Sequence, residues 1–187
     1  MNLLYPRIRK GSWRSLITAA AAGALIAGAY GIVHDQITYA ISPEYFTRFK
    51  FRQFSYADLG LGDRWFVVAI GFLATWWVGF FSGWFLWRLG VDRDGNPPPL
   101  TRILRRFGLI LGCGFLCGTA GYLYGRHLVE TDALDDWLAY TESIGVTDPA
   151  AFVTVGQIHS FGYLGALLGL VIAGIAVRRD LGKVGIR

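Results

Sequence analysis

Tyr30-Gly31-Ile32-Val33-His34-Asp35-Gln36-Ile37-Thr38-Tyr39 turns polar at the end of a long apolar run, and Ser42-Pro43-Glu44-Tyr45-Phe46-Thr47 follows directly. The run before it, residues 15–33, is dominated by Ala, Gly, Leu and Ile. About 20 such residues suffice for a helix to cross the hydrocarbon core of a bilayer. Working outward, three more apolar runs of that length follow, so the stretch marks the far end of the first of four membrane spans. The spans are expected at about 15–41, 64–88, 102–126 and 150–178, with outer segments over 42–63 and 127–149. The expected fold class is all-α: an integral membrane four-helix bundle with two interfacial segments, residues 1–187 forming one domain.

Composition supports this reading. Hydrophobic residues make up 53% of the 187, more than a water-soluble core of this size needs. The net charge of +5 does not indicate nucleic acid, because the basic residues cluster at the ends of the apolar runs. Thirteen of the 18 Lys and Arg fall on one side of the expected membrane, and ten of the 13 acids on the other. The positive-inside rule then places both termini in the cytoplasm of a bacterium, with the chain in its inner membrane. The lipid bilayer is the first partner; the glycine faces and short loops also suit a homo-oligomer or a partner in a larger membrane complex. Cys113 and Cys117 share a helix face inside an apolar run, where packing is the ordinary role and a soft ion such as Cu(I) the rarer one.

Local signals set the boundaries. The charged start and Ala27-Gly28-Ala29 resemble a cleavable leader, but residues 15–33 are read as a retained span. Ser42 at an N-cap, Pro43 at the first helical position and Glu44 in the first turn predict a helix restart. Over 43–62 the mixture of aromatic and basic residues predicts a segment in the headgroup zone, cations reaching lipid phosphates. In the second span the bulky rings are expected to face lipid, while Gly79-x-x-x-Gly83 offers a close-packing face. Asp92, Asp94 and Asn96 imitate the start of a calcium loop, but Pro97 stands where a glycine is required. Six glycines from 108 to 125 predict that the third span forms the centre of the bundle. Leu134, Trp137, Leu138 and Ile144 recur at helical spacing and predict a short amphipathic helix ending at Gly145. Asp148-Pro149 starts the fourth span.

The candidate site comes from counting. His34 stands 20 residues beyond Arg14, His127 21 beyond Arg106, and His159 19 before Arg178. At 1.5 Å per residue each lies about 30 Å from the basic boundary, so the three histidines share one layer. Asp35, Gln36, Arg126, Glu130 and Gln157 belong to the same layer. In a metal reading His34, His127 and His159 supply nitrogen, and Asp35 or Glu130, the latter three residues from His127, completes a zinc or iron site. In a haem reading two of the histidines are axial ligands, with Gly31, Gly156 or Gly162 letting the ring approach. A third reading is a titrating relay for a proton-coupled or solute transporter. Against all three stands simple solvation of imidazoles at an interface. No nucleophile-and-base pattern or phosphate loop is present.

The HDQ-x-T block at His34–Thr38 with Glu44-Tyr45-Phe46-Thr47 after it resembles that of a group of uncharacterised bacterial proteins with four transmembrane helices. The resemblance implies that the block is a hallmark of such proteins and carries no activity over to this chain.

Overall fold

The computed structural model describes residues 9 and 11–184, with side chains through 181; most of the charged start of the chain lies outside them. Helix α1 (Trp13–Ile41) is followed by a π-helical turn (Tyr45–Lys50), the short α2 (Phe51–Gln53) and a 3-10 turn (Ser55–Ala57). Then come α3 (Asp63–Gly90), α4 (Leu100–Glu130), α5 (Asp135–Ser143) and α6 (Pro149–Val184). The described residues contain no strand, and four helices are long and apolar enough to cross a membrane. Large apolar side chains such as Leu25, Phe81, Phe115, Leu123 and Leu167 are more than half exposed, a belt suited to lipid. The chain is an all-α membrane bundle. The end that carries Arg88, Arg102, Arg106 and Arg178 is called here the basic end, and the opposite one the distal end.

The helices are paired through small residues. On α1 the buried positions are Ala19, Ala20, Gly23, Gly28, Gly31, Asp35 and Thr38, a stripe without one bulky side chain. It lies against Gly71, Gly79 and Gly83 of α3 at backbone contact: a Cβ added at Gly79 would stand 2.7 Å from the carbonyl carbon of Gly23, and one at Gly71 2.7 Å from that of Gly31. In lipid, where helix association gains nothing from the hydrophobic effect, such close approach is the main attraction. The Thr75 hydroxyl adds a bond across the pair to the Ala27 carbonyl, at 2.8 Å. The second pair, α4 with α6, is built the same way. A Cβ at Gly125 would meet the Thr154 backbone at 2.7 Å, and one at Gly165 would meet Cys117 Cβ at 2.6 Å. Cys113 and Cys117 are thus free thiols whose helix face packs against α6 glycines.

This pairing corrects two expectations. Helix α4 is one half of a pair and not the centre of the bundle: its Gly108 and Gly112 face open space. Among the rings of α3, Trp76, Trp77, Phe81 and Trp84 are exposed as predicted, but Trp87 is 1% exposed. Its indole N–H donates to the Ser15 hydroxyl at 2.9 Å, which satisfies the one polar atom that burial would orphan.

Two apolar clusters join the pairs. At the basic end Leu86, Trp87, Ile103, Phe107, Ala173 and Val177 meet around Ala19. At the distal end Tyr45, Phe46, Val67, Phe152, Val155 and Ile158 form the second. The segment 43–54 is therefore a plug and not a purely interfacial strip: Phe46 is fully buried and Lys50 only 7% exposed. The start of this segment follows the sequence reading, since the Tyr45 amide donates to the Ser42 hydroxyl at 3.3 Å, an N-cap bond. Helix α5 also forms where expected, its Tyr140 ring 6.3 Å from that of Phe152, and Gly145 ends the turn with φ +71°. In the loop 91–99 the Asp92 carboxylate accepts from the Asp94 amide and from the Asn96 amide and side chain, a closed turn rather than a cation loop.

A clasp fixes the plug to the second pair. The Glu44 carboxylate accepts from the amides of Thr147 and Asp148 at 3.0 and 2.8 Å and from the Thr147 hydroxyl at 2.9 Å, just before α6 begins. Partial burial raises the Glu44 pKa, but these donors, with Arg48 nearby, outweigh it and hold the carboxyl below the ordinary value. A lowered folded-state pKa stabilises above the unfolded value and stops doing so as pH falls through the folded one. Glu44→Gln is accordingly expected to lower the melting temperature at pH 7 and to match the parent well below the ordinary carboxylate range. A pH-independent difference between the two melting curves would contradict the clasp.

Candidate metal centre

Asp35 follows Gly31 by one turn on the small-residue stripe of α1, so its position on the inner face is set by helical period. Its side chain is 5% exposed, a site where an uncompensated carboxylate is costly. Compensation comes from two imidazoles. His34 Nδ1 lies 3.2 Å from Asp35 Oδ1, and His159 Nε2, from α6, lies 4.0 Å from the same oxygen. The His159 side chain is 6% exposed and that of His34 19%. One donor atom from each of the three residues lies within 4.8 Å of the other two.

The surroundings hold these rings in place. The His34 and His159 rings meet edge to face at 4.7 Å, and Tyr45 of the plug stacks on His159 at 5.0 Å and 17°. The Thr38 hydroxyl lies 3.4 Å from His159 Nε2 and within 3.1 Å of the His34 carbonyl, so it takes part in the same cluster. Tyr30 covers the other side of His34, their rings 5.7 Å apart. Toward the basic end the cluster opens into a cavity of about 80 Å³ between the two helix pairs, lined by Thr75, Ser82, Tyr163 and otherwise mostly apolar groups.

Of the predicted site residues the structure brings His34, Asp35 and His159 together and leaves His127 and Glu130 outside. Both of the latter are exposed, and Glu130 pairs with Arg126 at 3.7 Å along its own helix. The reason is azimuth. Gly121 and Gly125 face α6, and His127, two residues past Gly125, is turned about 200° away at 100° per residue. Counting along the chain sets depth but not direction. Gln36 also points elsewhere, exchanging hydrogen bonds with Arg64 at the start of α3. The haem reading loses its geometry: imidazoles 4.7 Å apart and edge to face leave no slot for a macrocycle, and 80 Å³ is far below the roughly 300–1,000 Å³ of small-molecule sites.

The sequence reading missed two contributors, Tyr45 and Lys50. Burial pushes the Lys50 ammonium pKa down, with the Asp35 charge offsetting part of that, so the lysine belongs electrostatically to the site. Its ammonium packs against Tyr45, Phe49 and Phe54 at 5.5–5.9 Å from the ring centres. Among the described residues no acid lies within ion-pair distance of it. No α-helical spacing signals this, because Lys50 follows Tyr45 by five residues in a π-helical turn.

Compared with known proteins, the chain matches no family, no curated protein and no solved structure.

Proposed function

We propose that this protein binds a transition metal ion, zinc or iron, through His34, Asp35 and His159, in a bacterial inner membrane with its basic end toward the cytoplasm. The observation that carries the reading is convergence. Two imidazoles and one carboxylate, drawn from helices of different pairs, meet in a buried pocket of an otherwise apolar bundle. Ligand atoms about 2.0–2.2 Å from a shared tetrahedral ion stand a little over 3 Å from one another. The His34–Asp35 separation of 3.2 Å already fits, and His159, 4.0 Å from the Asp35 oxygen, needs to draw in toward both partners. Two histidines and one carboxylate with open positions form the ligand set of non-haem iron centres, and three protein ligands with one open position that of catalytic zinc. Either ion would supply Lewis acidity at the vacant position. The protein's share is to hold the imidazoles, through Tyr45 and Tyr30, and to exclude bulk water with the two apolar clusters.

Elemental analysis of the protein purified without chelators tests this. One equivalent of zinc or iron per chain is expected, with a fall in thermal stability on removal by a membrane-permeant chelator. A metal-free protein of unchanged stability after zinc or iron supplementation would leave only a buried polar cluster of His34, Asp35, Thr38 and His159 and sink the metal reading.

A further inference from the structure

Packed side chains cover the site toward both ends of the bundle, and it is approached from the side. The distal cluster, with Tyr45 stacked on His159, covers it from above, and the Phe107–Trp87 cluster closes the bundle below. Of the three donors only His34 retains appreciable exposure, and what exposes it is a groove between α1 and α4. This groove encloses about 350 Å³, within the range of ordinary small-molecule sites. Val33 and Ile37 form one wall and Phe115 and Tyr122 the other, all strongly exposed on the face that meets hydrocarbon. Its lining contains no Asp, Glu, Lys or Arg. The polar atoms are few: the Tyr30, Thr38, Thr119 and Tyr122 hydroxyls and the His34 imidazole. Tyr30 and His34 line both the groove and the central cavity, so the two spaces meet at those two rings, which are 5.7 Å apart and tilted by 31°.

From this geometry we infer that the α1/α4 groove is a lateral binding site for a single-chain amphiphile dissolved in the bilayer, whose oxygen function reaches the His34–Asp35–His159 centre past Tyr30. The inference deepens the metal reading and rests on it for what the oxygen meets. An uncharged chain matches a groove without charges, and about 350 Å³ has room for one chain, not two. An oxygen function is the part of such a molecule that completes the coordination of zinc or iron at an open position.

Photolabelling in vesicles provides the test, with palmitic acid carrying a diazirine on its chain as the probe and a diazirine-bearing phosphatidylcholine as the two-chain comparison. The fatty acid is expected to label peptides covering 33–41 and 115–122 in preference to the equally exposed stretch 164–175. That preference should be lost in Thr119→Trp, which fills the groove from the lipid side, and in Ile37→Trp, which does so from the other wall should the first variant fold poorly. Labelling spread evenly over the exposed belt and indifferent to both variants would overturn the lateral site, and equal enrichment by the phosphatidylcholine would overturn the single-chain assignment. The readout needs no metal. In His159→Ala the groove preference is expected to persist while metal is lost, so failure of the groove and failure of the metal centre give different results.

Discussion

Gly79→Leu is expected to prevent assembly of the bundle. A side chain there has nowhere to go: its first carbon would already fall 2.7 Å from the Gly23 carbonyl carbon and against Ala27 Cβ, and the neighbours are backbone or helix-bound methyls rather than flexible ends. Overpacking a formed core costs typically 1–3 kcal/mol and more where backbone must shift. In lipid the loss is compounded, because separating α1 from α3 removes the close contact that holds them together. The measurable result is loss of the monodisperse species in detergent and of a cooperative melt. Gly108→Leu, at a position where nothing lies within 4 Å of the added carbon, is the matched control and should change stability by no more than about 0.5 kcal/mol. Equal behaviour of the two variants would show that the stripe does not carry the pairing.

Asp35→Asn is expected to empty the proposed metal site while the bundle stays folded. Asparagine keeps the size of the side chain but removes the anionic oxygen shared by both imidazoles. Second-shell changes at metal sites already cost 10–100-fold in affinity, so removal of a direct ligand should cost at least about 100-fold. His159→Ala should do the same. His127→Ala and Glu130→Gln should leave metal content unaltered, since both side chains lie on the outer face of α4. If His127→Ala abolished binding and Asp35→Asn did not, the assignment of ligands would be wrong. Titration of each purified variant with zinc, read by competition with a chromophoric chelator, separates these outcomes.

The spans were legible because hydropathy is a one-dimensional property: the helix bounds fall within a few residues of those expected at every start, and α1 ends at Ile41 as predicted. Capping chemistry was equally local, as the Ser42 and Asp148 bonds attest. The histidine layer was half legible. Depth follows from counting residues, and it correctly put His34 and His159 within reach of each other. Direction required the glycine stripes, which were present in the sequence at 114, 118, 121 and 125 and would have turned His127 outward. Pairing of α1 with α3 and of α4 with α6 was not readable, since every span carries small residues and nothing local says which stripe meets which. Nor was the burial of Tyr45, Phe46 and Lys50: a π-helical turn adds a residue to each loop of hydrogen bonds and rotates the following side chains relative to an α-helix.

The pairing has a consequence for biogenesis. Each hairpin of spans is contiguous in the chain, α1 with α3 and α4 with α6, and the tight glycine-to-backbone contacts of each pair lie within it. The closed turn at Asp92–Asn96 is therefore a natural seam between two separately inserted units. His34 and Asp35 travel with the first unit and His159 with the second, so neither half can hold an ion alone. Metal uptake would then report that the halves have docked, and a chain nicked at the seam would still be able to regain it when both pieces are produced together.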